Sequence, residues 1–297
     1  MKISGFSYVR NGIDYDYPFV EAIQSILPIC DEFIMVLGDS TDSSREAILS
    51  IGSPKIKIVD TVWDMNNRKG GKVFAQQANT GLDHITGDWA FHIQADEVIH
   101  EDALPLILDA IKQYDADPEV DGLLFPFTHF WGSYDYIRTS RRVHKHEIRV
   151  FKNDKVIRSY RDSQGFRKYT SVEAYEAGER GEKLAVKKVD AVVHHYNGVR
   201  SNVVQNKKVY TFNSMYKQEQ STVNNNPKAF NYNDVDRVAK FTGSHPGIMR
   251  KRLEAFNQPF TFDPKKAKWK LKDRLIQPIE DLLGIRVGEY RNYKLLK

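Results

Sequence analysis

A single cysteine, Cys30, stands in 297 residues, so no disulfide can close within this chain. It lies between Ile29 and Asp31 at the end of a helical pattern, and a reduced, cytosolic protein is the expectation. No run of 18 apolar residues occurs, which argues against a membrane-spanning helix. The opening Met1-Lys2-Ile3-Ser4-Gly5-Phe6 has no secretory apolar stretch and enters a strand pattern almost at once. No internal repeat is visible. A glycine-rich triphosphate loop is missing too: after the first strand pattern come only Val9-Arg10-Asn11-Gly12, too short a segment for the loop a nucleotidyltransferase would use. Disorder is excluded by balance, with 41% hydrophobic, 28% charged and 12% aromatic residues.

What is present is a modest basic excess, 44 Lys and Arg against 39 Asp and Glu, for a net charge of +5. Such an excess suits anionic partners, among them nucleotide diphosphates, nucleic acid and anionic lipid. It concentrates late, at Lys265, Lys266, Lys268, Lys270, Lys272 and Arg274, alternating with Trp269 and Leu271. Peripheral contact with anionic membrane, at its inner face, is one reading of that stretch, and a plain solvated helix face is the favoured one. The run Arg138, Arg141, Arg142, His144, Lys145 and His146 reads as a solvated loop, with a site for phosphate or an anionic acceptor as the alternative.

Periodicity places strands at Ile3–Val9, Phe33–Leu37, Ile56–Val59, Trp89–Ile93 and Gly122–Phe127. Helical spacing falls between them, over Phe19–Leu27, from a Ser43/Glu46 capping box to Ile51, over Val73–His84 and over Leu104–Ile111. This order predicts an α/β fold with a Rossmann-like, mainly parallel sheet flanked by helices. An irregular region follows, with strands at Glu147–Phe151 and Ala191–His195. Gln218–Asn233 reads as a surface loop, and the chain beyond Asp234 as helical with basic faces. The expected division is a main domain over 1–212 and a basic, helical extension over 213–297.

Ligands of such sheets bind beyond the carboxyl ends of the strands. There the sequence delivers polar groups one strand after another: Arg10 and Asn11, then Asp39-Ser40-Thr41-Asp42, then Asp64, Arg68 and Lys69, then Gln94-Ala95-Asp96-Glu97. A non-catalytic nucleic-acid or glycan-binding protein would explain charge and aromatics but not acids and amides gathered at successive strand ends, and no nucleic-acid partner is expected. Two adjacent carboxylates, Asp96 and Glu97, favour a cation between them or solvent around them. Mg²⁺ and Mn²⁺ bind through one or two carboxylates together with substrate phosphates. A solvated acidic turn is the plainer alternative. Asp39 and Asp42 likewise suit either a turn and helix cap or a contact to a nucleobase.

Taken together, these segments resemble the family-2 glycosyltransferases of GT-A fold. Asp39-Ser40-Thr41-Asp42-Ser43 is similar to a D-x-S-x-D segment after their second strand, and Gly87-Asp88-Trp89 with Gln94-Ala95-Asp96-Glu97 to their G-D-[WY]…D-A-D-[DE] segment. His195-Tyr196 with Val199-Arg200, then Lys207 or Lys208, resembles an H-Y-G-W-V-R…K segment of a bacterial branch. The resemblance spans about the first 210 residues. It implies inverting transfer of a sugar from a nucleotide diphosphate donor to a hydroxyl acceptor, a glycan or lipid-linked glycan, in the synthesis of a cell-surface polysaccharide or glycan. It further implies Asp39 at the base, Arg10 and Asp42 in the same nucleotide site, Arg68 or Lys69 near base or phosphates, and Asp96 on a Mn²⁺ or Mg²⁺ ion bridging the diphosphate, with His195 approaching from the far side. Gln94 replaces the family's first acid; it can bond a ribose hydroxyl but carries no charge.

His194 and His195 are adjacent on a strand and point to opposite faces, so only one can reach the site. For the acceptor side, Asp162 in Arg161-Asp162-Ser163-Gln164-Gly165 is the favoured general base, with Arg161 beside it to keep it ionised. Glu173 is the alternate, and Glu147, which opens a strand, is read as a partner for Arg149.

Overall fold

The computed structural model describes residues 1–297 apart from Arg68, Gln164, 217–229 and Val287, and apart from the side chains of Asn67 and Lys69. Strand β1 (Ile3–Val9) leads through helix α1 (Phe19–Ile26) to β2 (Glu32–Leu37), and α2 (Ser44–Leu49) leads to β3 (Ile56–Asp60). Helix α3 (Lys72–His84) returns the chain to β4 (Trp89–His92). β1, β2, β3 and β4 pair in parallel in the order β3-β2-β1-β4. After moving outward from β1 to β3, the chain therefore crosses back to the other side of β1. Strand order reverses at the β1/β4 boundary, which is where a crevice opens beyond the carboxyl ends.

Alternation along β2 shows how the strands are buried on both faces. Phe33, Met35 and Leu37 join a core with Phe19, Ile23 and Ile26 of α1, while Ile34 and Val36 join a second core with Ala78 and Leu82 of α3. Strand residues at period two thus feed two cores, one on each side of the sheet.

Beyond β4 come β5 (Glu97–Ile99), α4 (Leu104–Tyr114), β6 (Gly122–Trp131), β7 (Ser133–Arg138) and β8 (His146–Lys152). Here the sheet becomes mixed. β8 inserts between β4 and β6 and is antiparallel to both, so the strand at Gly122 does not neighbour β4; it also runs on to Trp131, past its expected end at Phe127. A small sheet holds β9 (Ile157–Tyr160), β10 (Gly165–Lys168) and, after α5 (Val172–Glu176), β11 (Glu182–Lys183). β12 (Ala185–Lys188) and β13 (Val193–Gly198) rejoin β6, and α6 (Asn202–Tyr216) follows. Most of the expected Gln218–Asn233 loop lies outside the described residues.

The C-terminal stretch is not wholly helical. It adds β14 (Val238–Lys240) to β7, then α7 (Arg250–Ala255), α8 (Leu271–Leu283) and β15 (Lys294–Leu295), which pairs with β12. The Ser43/Glu46 capping box does not form: Ser43 makes no side-chain cap bond, and Asp42 Oδ1 instead accepts from Ser44 N at 3.0 Å.

Two charge readings change with tertiary structure. The basic run spans an exposed loop, as expected at Arg142, His144 and Lys145, but its arginines are engaged in ion pairs. Arg138 meets Asp236 at 3.2 Å, Arg142 meets Asp273 at 2.8 Å, and Arg141 meets Glu280 at 3.2 Å, so the run fastens the C-terminal stretch to the sheet. Arg149 pairs with Glu97, not with Glu147: its Nε and Nη2 donate to the two carboxylate oxygens at 2.7 and 2.6 Å. Glu147 is half-buried, and its Oε2, shielded from solvent, finds no hydrogen-bond partner among the described residues. Burial pushes its carboxyl up to about 8, with Arg149 opposing and Glu97 adding to the rise.

A carboxyl raised on folding contributes stability that is complete below its unfolded value, near 4.3, and is lost as pH rises through the folded one. We therefore expect Glu147→Gln to match wild type near pH 4.5 and to exceed it at pH 8, by up to about 1.4 kcal/mol for each pH unit between the two values. Urea unfolding at the two pH values measures this. Equal stability of the two proteins at pH 8 would show that Glu147 ionises freely in the fold.

Candidate active site

A cavity of about 420 Å³ opens at the β1/β4 switch point and is closed on its far side by α6. Its size is that of an ordinary small-molecule site. One end is charged, lined by Gln94 and Asp96 after β4, His195 of β13 and Lys208 of α6. An aromatic wall rises from it, where Phe74 stacks on Phe212 at 4.9 Å and meets Trp63 edge-on at 5.5 Å. Asp162 lies on the rim, between β9 and β10, where Arg161 and Ser163 take left-handed φ values of 56° and 60°. Its Oδ2 accepts from the Tyr216 hydroxyl at 2.9 Å. The loop sits this deep because residue 71 is a glycine with φ of 74°: a Cβ there would lie 2.6 Å from that of Asp162.

Asp96 is only 8% exposed, yet three basic groups surround it. Lys208 Nζ donates to Oδ2 at 3.3 Å, and His195 Nε2 stands 3.5 Å from Oδ1. Burial alone would raise the Asp96 carboxyl, but Lys208, His195 and Arg200 together hold it well below the usual range. Burial, helped by Arg200, pushes the Lys208 ammonium down to about 7 against the pull of Asp96. Its ammonium also faces the Tyr17 ring at 4.6 Å.

The orientation of His195 follows from its neighbours. β13 lies between β5 and β6, which sets His195 opposite His129. His129 Nε2 is 2.7 Å from the carbonyl oxygen of His144, which can only accept, so Nε2 carries the proton. The neutral His129 then offers Nδ1 as an acceptor, 2.8 Å from Nδ1 of His195. His195 must donate from Nδ1, which leaves Nε2 aimed at the Asp96 carboxylate. Two acceptors facing each other require a cation between them, a proton or a metal ion. A divalent ion fits this pair: carboxylate oxygen and imidazole nitrogen suit Mn²⁺ better than Mg²⁺, and the hydrogen bond on the other ring nitrogen is the usual support of a ligating histidine. No group of three or more His, Cys, Asp or Glu is arranged for a metal among the described residues.

The other expected residues fall at varying distances from this centre. Arg10 and Gln94 line the cavity. Asp39 does not. It accepts from Arg10 Nη2 at 2.9 Å and from Trp63 N at 3.2 Å, and so holds two lining residues in place. Asp42 is occupied as a turn-former, accepting from the backbone of Asp14 and Ser44. Glu97 turns away to Arg149, so the adjacent acids do not act as a pair. His194 faces the opposite side of β13, stacked on Phe130 at 5.8 Å. Glu173 is exposed in α5, outside the cavity. Arg161 lies over the Tyr160 ring at 5.7 Å, and no ion pair joins it to Asp162 among the described residues. Arg68 and the Lys69 side chain lie outside the described residues.

Sequence reading assigned no role to Lys208, His129 or the aromatic wall. Lys208 had a signal, its place in the segment after His195-Tyr196. His129 had none, because only strand pairing brings it to His195.

The model for "Glycosyl transferase family 2" matches residues 19–171, just over half of the chain. No curated protein matches. Among solved structures, S. aureus TarS 1-349 in complex with UDP aligns at 18% identity over 47% of this chain and 39% of that one, with a TM-score of 0.33. Another structure of TarS 1-349 aligns at 12% identity over 66% and 61%, with a TM-score of 0.37. Glucosyl-3-phosphoglycerate synthase from Mycobacterium tuberculosis, solved with Mn²⁺, UDP and phosphoglyceric acid, aligns at 18% identity over 44% and 43%, with a TM-score of 0.30. This chain thus spans less than half the length of the first and third of these.

Replacing His129 by Phe should release the His195 tautomer. Imidazole ¹⁵N shifts of the metal-free protein are expected to report protonated Nδ1 at His195 in wild type and a tautomer mixture in His129→Phe. Identical His195 spectra in the two proteins would mean that His129 does not orient it.

Proposed function

Because the chain belongs to glycosyl transferase family 2, we propose that it transfers a sugar from a nucleoside diphosphate donor to a hydroxyl acceptor, with inversion at the anomeric carbon. The observation that carries this reading is the cavity itself, which has a buried, cation-ringed carboxylate at one end and a rim carboxylate, Asp162, at another. The nucleoside would lie along the aromatic wall, with Arg10 beside it held by Asp39. The diphosphate would lie at the Asp96 end, and Gln94, which lines the cavity, would bond a ribose hydroxyl. Asp96 and His195 would hold a divalent ion, which when bound supplies Lewis-acid neutralisation of the diphosphate.

In the reaction, Asp162 takes the proton from the acceptor hydroxyl as its oxygen bonds to the anomeric carbon. The bond from that carbon to the diphosphate oxygen breaks, and the electron pair leaves with the nucleoside diphosphate. Lys208 offsets the charge that grows there, from a buried position where an ammonium acts more strongly than in water. The wall of Trp63, Phe74 and Phe212 excludes water, which would otherwise compete as acceptor. The Tyr216 hydroxyl, donating to Asp162, keeps the carboxylate aimed inward.

Two variants separate the roles. Asp96→Asn should bind a nucleoside diphosphate with the same affinity whether or not Mn²⁺ is present, whereas wild type gains from the ion; calorimetry with UDP, GDP, CDP and dTDP reads this. A Mn²⁺-dependent gain that survives in Asp96→Asn rules out its part in holding the ion.

Asp162→Asn should keep donor affinity and lose about 10²–10⁴ in transfer rate, the usual contribution of a general base. Transfer at the wild-type rate would move the base elsewhere, and a collapse of donor affinity would make Asp162 a donor-side residue.

A further inference from the structure

Helix α8 presents the opposite of a normal surface helix. Asp273, Gln277 and Glu280, spaced at four and three residues, form its inward face. They meet Arg141 and Arg142: Asp273 at 2.8 Å from Arg142, Glu280 at 3.2 Å from Arg141, and the Gln277 side-chain oxygen accepting from Arg141 N at 2.7 Å. The outward face is apolar. Leu271, Leu275, Ile279 and Leu282 follow one stripe and are 77, 65, 51 and 85% exposed, with Leu283 and Ile285 exposed alongside. A helix facing only water would place its leucines inward and its acids outward. A contiguous exposed apolar stripe of this kind marks an interaction surface.

The charges around the stripe identify what covers it. Lys265, Lys266, Lys268 and Lys270 lead into the helix, and Lys272 and Arg274 flank the stripe, all of them exposed. The one acid among residues 265–274, Asp273, is turned inward onto Arg142. Lys268 meets Asp234 at 2.6 Å. Glu280 is likewise on the docking side, and the exposed Asp281 is paired with Arg237, so the unpaired charge at the rim of the apolar face is basic. A second copy laid face to face would bring the two lysine rows together. A surface with apolar depth and a layer of negative charge at its boundary matches both features, and that is the chemistry of an anionic bilayer.

We propose that α8 is a membrane-surface helix, lying in the interface of an anionic bilayer with its leucines toward the acyl chains and its lysines at the phosphate headgroups. No helix among the described residues is long and apolar enough to cross a membrane, so this contact is peripheral. It is independent of the reaction proposed above, because none of these residues lines the cavity.

Co-flotation tests it, with vesicles of phosphatidylcholine alone and vesicles of equal parts phosphatidylcholine and phosphatidylglycerol. Wild type should bind the mixed vesicles at least about tenfold more tightly than the neutral ones, and added salt should weaken that binding. Leu275→Ser/Ile279→Ser/Leu282→Ser, changed only at exposed positions, should lose it while keeping the wild-type thermal unfolding profile. Lys265→Gln/Lys266→Gln/Lys270→Gln/Lys272→Gln should lose the preference for the mixed vesicles. Wild type that ignores both vesicles, or that binds them equally, overturns the proposal. So does a wild-type dimer that ignores vesicles and is split by the leucine-face variant, since the face would then belong to a second copy. If the leucine-face variant does not fold, the two-vesicle comparison on wild type and the lysine variant still decide.

Discussion

A carboxylate can remain ionised inside a protein only if cations replace the water it has lost, and the site is organised around that requirement at Asp96. Lys208 and His195 reach its two oxygens from α6 and β13, segments more than 90 residues later in the chain. The backbone takes part as well, since Tyr196 N donates to the Asp96 carbonyl at 2.8 Å. The segment after β4, the middle of α6 and the β13 strand are thus tied at one point. The cavity exists because α6 is held across the crevice there, and its aromatic residues Phe212 and Tyr216 complete the wall as a consequence of the same docking.

A second set of ion pairs does comparable work at the opposite flank. Arg138, Arg141 and Arg142 bind Asp236, Asp273 and Glu280, so α8 and the segment before β14 are held by charge, while Met249, Phe241, Leu253 and Phe256 attach the stretch between them by apolar packing. That choice releases the leucines of α8 to face outward. The two arrangements share a logic in which buried or half-buried charge holds segments in place and leaves apolar surface free for a ligand, in the cavity in one case and on the outer face in the other.

Glu97, buried, and Glu147, half-buried, illustrate how unequal two acids of one neighbourhood can be. Both lie near Arg149, yet Glu97 takes its guanidinium in a two-pronged bond and Glu147 receives none of its donors. A guanidinium presents its parallel donors to one carboxylate at a time. The acid left over has no hydrogen bond to set against desolvation, and although the Arg149 charge opposes the rise, its carboxyl is pushed up to about 8.

Much of this was legible in the sequence because it depends on local pattern. Alternation and helical spacing gave the first four strands and their helices within a residue or two, and with them the crevice where Arg10, Gln94 and Asp96 emerge. The adjacency of His194 and His195 decided that only one could face the site. What the sequence could not decide was pairing between distant segments. Nothing local distinguishes Glu97 from Glu147 as the partner of Arg149, places β8 between β4 and β6, or sets His129 beside His195. Nor does composition tell that α8 docks by its acids, since an amphipathic pattern shows two faces without saying which is inward. Residue spacing determines which side chains share a face; only the packed fold determines what that face meets, because partner choice depends on charges and surfaces contributed from elsewhere in the chain.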